Sequence, residues 1–573
     1  MCPGFNKSLK LLLLLAALFA GSPSAIAEIP DAGNILRDVG DNFKSFPEPN
    51  RTAPVIIQQD EEARKAQAAM VVPVKRIVVT GVTLIGQQEI DALVSPYFGK
   101  SLTVSGLNDV ARLISNRYAM TGYLAQAILP PQEVRDGVVT IEVIEARFGS
   151  IEIRKSTDVR YTKRKAAGML AAAQPKGEFI RISDLERGLL LLRQINGINS
   201  SAVIKPGLRK GEVDAVVDLQ STPLISGQLG LDNFGSVSTG EYRWNGVLDL
   251  HSPFCAGDRM SIRTMYADRL RYGRFAYSYP VGPNGVIAGF SVNRMTYELG
   301  QRFSALDASG ESSGVGASVS MPLVLKRRSN LYGLVGYDYR VFRDDMAGRL
   351  IGDRRLNIGS FMLTGSWFDD LYGGGYTTAG MTITFGYVDL SRVAGLNTLD
   401  YAGPRTSGSY TRLNVSVSRM QYLFDELTTL SLSAAGQLAS GNLDSSEKMT
   451  LGGQYAVRAY PAGEAPGDEG LLFVGELRRK LLPGLQTFLF YDYGMIRQNT
   501  TVWPGWTGTG GSPNTYSLDG VGCGTLFMPI DRLKLKATIA WRLKNNPASD
   551  ANGKDHDGTF RDPRIWFESS YDF

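Results

Sequence analysis

From about Leu224 onward, apolar and polar residues alternate in runs of roughly ten between Gly, Asn, Asp and Pro turns. Arg532–Arg542 shows it most clearly. Leu533, Leu535, Ala537, Ile539 and Trp541 fall on one face, and Arg532, Lys534, Lys536, Thr538, Ala540 and Arg542 on the other. Thr429–Gln437 repeats the pattern, with Leu430, Leu432 and Ala434 against Thr429, Ser431 and Ser433. One face suits hydrocarbon and the other a wet interior. Tight turns at Pro483-Gly484, Asp531 and Pro283-Asn284-Gly285 alternate with long connections at Gly300–Gly314, Val341–Asn357, Ser391–Ser409 and Asn545–Asp562. The pattern predicts a transmembrane antiparallel β-barrel of about sixteen strands over residues 223–573. That leaves about 22 residues per strand and connection, enough for strands of roughly 10 residues. A soluble sandwich would also alternate, but would not need lysines facing its interior at this density.

The half before the barrel carries helical periodicity. Strand Lys75–Thr80, helices Gln87–Phe98 and Leu107–Thr121, and strands Ala125–Leu129 and Val138–Glu145 form one unit, over residues 74–148. Leu107, Val110, Ala111, Ile114 and Tyr118 make the stripe of its second helix. Residues 149–222 repeat the order with strand Ser150–Arg154, helices Tyr161–Ala173 and Ser183–Gln194, and strands Ser201–Pro206 and Val213–Gln220. Strand, helix, helix, strand, strand resembles a POTRA domain, so two such α+β units precede the barrel. Arg154, Lys155, Arg160, Lys163, Arg164 and Lys165 cluster in the second unit, either as a solvated face or as a surface for an acidic client.

Residues 28–73 read as a short helix and a linker. Asp31 can cap the helix, and Ile35, Leu36, Val39 and Phe43 share one face. Pro47, Pro49 and Pro54 then hold the chain extended. Residues 1–27 form a secretory signal: Lys7 and Lys10, an apolar run Leu11–Ala20, and a small-x-small site at Ala25-Ile26-Ala27. At the other end, Ile565, Phe567, Ser569, Tyr571 and Phe573 alternate with Trp566, Glu568, Ser570 and Asp572. This resembles the C-terminal sorting signal of bacterial outer-membrane proteins, carried by Phe567, Tyr571 and Phe573.

Composition narrows the function classes. The formal charge is +5, and two lysines leave with a signal that contains no acid, so the mature chain stands at about +3. That balance gives no reason to expect nucleic acid. Of three cysteines Cys2 lies in the signal, and Cys255 and Cys523 read as free thiols in preference to a single bridge. Two histidines, His251 and His556, leave little for a His-based metal site. There is no Walker loop, no H-E-x-x-H and no G-x-S-x-G, so no catalytic residues, metal or cofactor are expected. Gly520-Val521-Gly522-Cys523-Gly524 reads as small residues in a barrel strand rather than a nucleotide loop.

One segment breaks the alternation. Leu451–Arg478 carries seven glycines and prolines before Leu471, so its first part is neither helix nor strand. Irregular backbone at membrane depth is tolerated only inside protein or a water-filled lumen. It therefore reads as a loop folded back into the pore, with Arg458 as its polar anchor. A buried guanidinium needs a carboxylate. In Leu485–Gly494, Gln486, Phe488, Phe490, Asp492 and Gly494 share the inward face and Leu485, Leu489, Tyr491 and Tyr493 the lipid face, which makes Asp492 the candidate.

The tip Val457-Arg458-Ala459-Tyr460 closely resembles the Val-Arg-Gly-Tyr/Phe tip of the sixth extracellular loop in two-partner secretion transporters of the TpsB (ShlB/FhaC/HecB) family. Phe490-x-Asp492-x-Gly494 matches the family's F-x-D-x-G strand motif, whose aspartate pairs with the loop arginine. Ala459 departs from the usual Gly, and would be strained if that position needed positive φ. The resemblance implies an outer-membrane pore of a Gram-negative bacterium with POTRA units in the periplasm and a helix, residues 31–46, plugging the lumen. It implies export of a large haemolysin- or adhesin-like exoprotein with an N-terminal secretion domain, not enzymatic work. Its other expected partners are outer-membrane lipid and the barrel-assembly machinery. An insertase for barrel proteins and a passive porin are the rival readings.

Overall fold

The computed structural model describes residues 29–41, 56–57 and 71–573. Residues 1–27 and Phe43 lie outside the described residues. Strands are numbered β1 to β25 and helices α1 to α6 along the chain.

In the first α+β unit, β3 (Arg76–Thr80) lies parallel to β6 (Val138–Glu145), with β5 (Ala125–Ile128) antiparallel on the other side of β6. Helices α2 (Gln87–Val94) and α3 (Val104–Met120) cover this sheet. The stripe from Leu107 to Tyr118 is buried against Ile77, Val79, Val139 and Ile141. Thr103 caps α3 through the Gly106 amide. A further pair, β2 (Val71–Val74) with β4 (Lys100–Thr103), is not evident from the pattern because both strands are short.

In the second unit the sheet order is β1–β8–β9–β7: Ile56–Ile57, Ile198–Pro206, Glu212–Ser221 and Arg147–Lys155. The linker thus adds a short parallel strand to the edge of β8. Helices α4 (Lys163–Ala173) and α5 (Ile182–Arg193) pack Leu170, Leu185, Leu189 and Leu192 inward. The unit seats directly on one barrel rim. Arg187 Nη2 donates to the Pro322 carbonyl at 3.3 Å and Asn196 Nδ2 to the Gly257 carbonyl at 3.2 Å.

Sixteen antiparallel strands, β10 (Ile225–Asp232) to β25 (Arg564–Asp572), close a barrel. The seam between β10 and β25 has five residue pairs, from Gln228 opposite Asp572 to Asp232 opposite Glu568. Beyond it Phe573 and Gly227 exchange both backbone hydrogen bonds at 3.0 Å, and the Phe573 ring lies where a Cβ on Gly227 would be. Phe567, Tyr571 and Phe573 point outward, while Trp566 is buried. Among the described residues no helix is long and apolar enough to cross a membrane.

The long connection expected at Val341–Asn357 is not one. β16 (Ser329–Met346) and β17 (Arg349–Asp369) run through it and turn at Ala347-Gly348, both at positive φ. Likewise β15 begins at Ala308, inside the predicted Gly300–Gly314 connection. The outward residues there are charged, with Glu311, Arg343 and Asp353 pairing across strands. The apolar alternation that marks a lipid-facing strand therefore stops while the backbone ladder continues. Ser391–Ser409 holds a connection with a short helix, α6 (Leu396–Ala402), and no strand or helix interrupts Asn545–Asp562. Cys255 and Cys523 are both free.

Candidate functional site in the barrel lumen

The connection from β20 (Thr428–Ala439) to β21 (Glu469–Leu482) folds into the barrel. Leu451, Val457, Arg458, Ala459 and Tyr460 are all buried. With no ladder available, the loop satisfies its backbone on itself. Leu451 N and Gly452 N donate to the Glu464 carbonyl at 3.0 and 3.1 Å, Gly453 N to that of Tyr460 at 3.1 Å, and Val457 N to that of Leu451 at 2.7 Å.

Arg458 sits at the tip with all three guanidinium nitrogens hydrogen-bonded to carboxylates and one face stacked on a ring. Nε and Nη2 fork onto Asp492 of β22 (Leu485–Arg497) at 2.9 and 2.7 Å, and the Arg458 amide adds a third bond to the same carboxylate at 3.0 Å. Nη1 donates to Glu476 of β21 at 2.8 Å. The plane stacks on Phe490, 3.4 Å from the ring centroid. The Arg458 carbonyl accepts from Trp566 Nε1 at 2.7 Å. Arg478 Nε reaches the other oxygen of Glu476 at 2.5 Å, so two guanidinium groups face two carboxylates. Charge neutrality and filled hydrogen bonds are what a buried ion cluster requires.

The wall is thinned to receive this tip. On β23 (Thr515–Ile530), Gly520, Gly522 and Gly524 lie opposite Asp492, Phe490 and Phe488. A Cβ on them would come within 2.7 Å of the Ala459 methyl, 2.4 Å of Phe490 and 2.3 Å of Phe488. The G-V-G-C-G run is therefore a smooth patch under the loop and its aromatics. A Cβ on Gly494 would meet Leu451 at 2.7 Å, so that glycine makes room for the loop. Ala459 is not among the residues with positive φ, and the strain considered for it does not arise.

Nearer the base, Glu447 is held between Arg340 and Arg412 of the wall at 3.1 and 3.0 Å. Helix α1 (Ala32–Asp41) lies against this part of the loop. Asp31 caps it through the Asn34 amide at 2.9 Å. Ala32, Ile35 and Val39 are buried against inward-facing Met265, Met295, Tyr297, Phe342 and Leu356, with Leu36 packed beside them. A Cβ on Gly33 would meet Ser445 Oγ at 2.4 Å, so glycine permits the close approach. Arg354 of β17 ties three elements together: Asp31 at 2.9 Å, Asp444 of the loop at 2.9 Å and Asp344 of β16 at 3.1 Å. Asp344 also accepts from the Ala32 amide and the Tyr297 hydroxyl, both at 2.8 Å.

Val457, Arg458, Ala459, Tyr460, Phe490, Asp492 and Gly494 therefore converge on one place, and Ile35, Leu36 and Val39 on a second. Sequence reading missed Glu476, Trp566 and Arg354. Glu476 pairs with Phe490 across β21 and β22, so counting register from the Asp492 strand would have found it. Arg354 carries no local signal, because two of its three partners, Asp31 and Asp444, come from distant segments. Among the described residues no group of His, Cys, Asp and Glu side chains is arranged to hold a metal ion.

Comparison with known proteins gives the same architecture. Residues 211–512 match the family model described as haemolysin secretion/activation protein ShlB/FhaC/HecB, and residues 72–146 match the ShlB-type POTRA domain. The heme/hemopexin transporter protein HuxB of Haemophilus influenzae is 27% identical over 469 residues, covering 80% of this chain and 81% of that one. The outer membrane transporter CdiB of Escherichia coli O6:K15:H31 is 26% identical over 515 residues, covering 87% and 84%. The solved structure of CdiB from Escherichia coli superposes with a TM-score of 0.68 at 19% identity, over 100% of this chain and 99% of that one. BamA from Haemophilus ducreyi, solved without POTRA domains 1–3, gives 0.50 at 14% identity over 88% of this chain and 100% of that one. The chain belongs to the haemolysin secretion/activation family ShlB/FhaC/HecB, outer-membrane barrels with periplasmic POTRA domains that export a partner exoprotein by two-partner secretion.

Proposed function

We propose that the cargo is one or a few very large, haemolysin- or adhesin-like exoproteins, received through an N-terminal secretion domain, and that the loop tip and α1 are the gate. On this reading residues 1–27 are removed, 28–73 are plug and linker, 74–148 and 149–222 are two POTRA units, and 223–573 are the pore. The barrel-assembly machinery inserts it, and no cofactor or catalytic residue takes part. The observation that carries the reading is the double obstruction of the lumen. Both obstructing segments are tied to the wall by side-chain ion clusters rather than by a strand ladder. Such ties can be broken and remade without opening the barrel. A passive porin has no use for them.

Deleting the gene should remove one or a few very large proteins from the surface or medium and leave barrel proteins at normal levels. Quantitative proteomics of membrane and medium checks this. A general collapse of outer-membrane proteins would favour an insertase instead. Deleting residues 28–46 should raise single-channel conductance or open probability in planar bilayers. An unchanged channel would remove α1 from the gate.

A further inference from the structure

The cationic cluster of the second unit has a location that its sequence does not reveal. Arg160, Lys163, Arg164 and Lys165 are exposed, and among the described residues they enter no ion pair. No acidic residue lies between Asp158 and Glu178. Lys165 places its ammonium 5.7 Å from the ring centroid of Tyr279 and 5.9 Å from that of Tyr161. Tyr279 belongs to β13 (Leu270–Val281), and there Tyr279 and Val281 alternate outward, both exposed. Phe254, in the neighbouring turn, is 66% exposed and meets Tyr277 edge-on at 6.1 Å. A Cβ on Gly257 would touch Ile195 at 2.6 Å and Tyr161 at 3.2 Å, so the unit is seated tightly against this turn. Lys165 therefore stands beside the outer, lipid-facing wall at the periplasmic rim, not under the mouth of the lumen, with Arg160, Lys163 and Arg164 next to it along the chain.

We propose that Arg160, Lys163, Arg164 and Lys165 bind the phosphate of an anionic phospholipid in the periplasmic leaflet, its acyl chains lying along Phe254, Tyr277, Tyr279 and Val281. Two features of this surface select this occupant. The patch is continuous with the surface that hydrocarbon already covers. It also offers several cations held in no direct ion pair where headgroup phosphates lie, beside the amphipathic rings that favour that level. Lipid so held pins the second unit against the bilayer and fixes how cargo is presented to the pore.

The test uses the full-length protein in phosphatidylcholine nanodiscs doped with a photoactivatable phosphatidylglycerol or its phosphatidylcholine counterpart. Labelled peptides are mapped by mass spectrometry. The phosphatidylglycerol probe should label residues 155–170 and the Phe254 turn about fivefold or more above the phosphatidylcholine probe. Lys163→Glu, Arg164→Glu and Lys165→Glu together should erase that preference, and high salt should weaken it in the wild type. Gln at the same three positions provides a milder variant, with heat-modifiable gel mobility as the folding control for both. Equal labelling by the two probes overturns the proposal. So does a preference that survives the substitutions. Loss of export with lipid labelling unchanged would identify the patch as a cargo surface and overturn it as well.

Discussion

Arg458→Ala should abolish export while the barrel still assembles, and it should do more damage than Asp492→Ala. Arg458 serves two buried carboxylates, Asp492 and Glu476. Removing it strands Asp492 and leaves Glu476 with Arg478 alone, and an uncompensated buried charge costs roughly 3–5 kcal/mol. Asp492→Ala leaves Arg458 with Glu476 and with the Phe490 ring, so part of the anchor survives. The two changes combined should be less than additive, because each deletes the same contact. Arg458→Lys should not restore export: a point charge cannot fork onto Asp492, reach Glu476 and stack on Phe490 at once. A double-mutant cycle on secreted partner measures this, with heat-modifiable mobility reporting assembly. Fully additive losses, or equal loss for the two single changes with Glu476→Gln silent, would contradict the assigned anchor.

Arg354→Ala should open the channel about as much as removing α1 outright. The arginine holds Asp31, Asp344 and Asp444 within ion-pair distance of one guanidinium, itself only 11% exposed. Without it three carboxylates crowd a space that salt screens poorly. The cheapest relief is for α1 to leave, carrying Asp31 with it. Asp344→Asn in the same background should partly reseat the helix, since one like charge is removed while its carbonyl oxygen can still accept from the Ala32 amide. Arg328→Ala is the matched control. Its pair with Asp370 is solvent-exposed, and such pairs contribute about 0–1 kcal/mol. Planar-bilayer recordings of the four variants decide the matter. Wild-type conductance in Arg354→Ala would show that apolar packing alone holds the helix.

The barrel was legible because lipid imposes a two-residue period, as in Leu533–Arg542. Where the wall rises beyond lipid the period fails, and Val341–Asn357 reads as a loop although it is hairpin. Helices α3 and α5 were legible from their apolar stripes. Strands β2 and β4 have four residues each and no alternation long enough to register. Within the site, the position of Asp492 followed from alternation on its own strand, and its match to Arg458 from motif resemblance. Glu476 needed strand register and Arg354 needed the tertiary fold. Neither is encoded in a local pattern, because a lumen collects its charges from all around the wall.

The bond from Trp566 to the Arg458 carbonyl sets an order in time. Arg458, Glu476 and Asp492 lie close together in sequence, but Trp566 is 108 residues beyond Arg458, on the last strand of the chain. The loop tip therefore cannot gain its full complement of partners until β25 has docked. Before that strand is in place, the tip has Asp492 and Glu476 but not the indole, so its loop is only partly held.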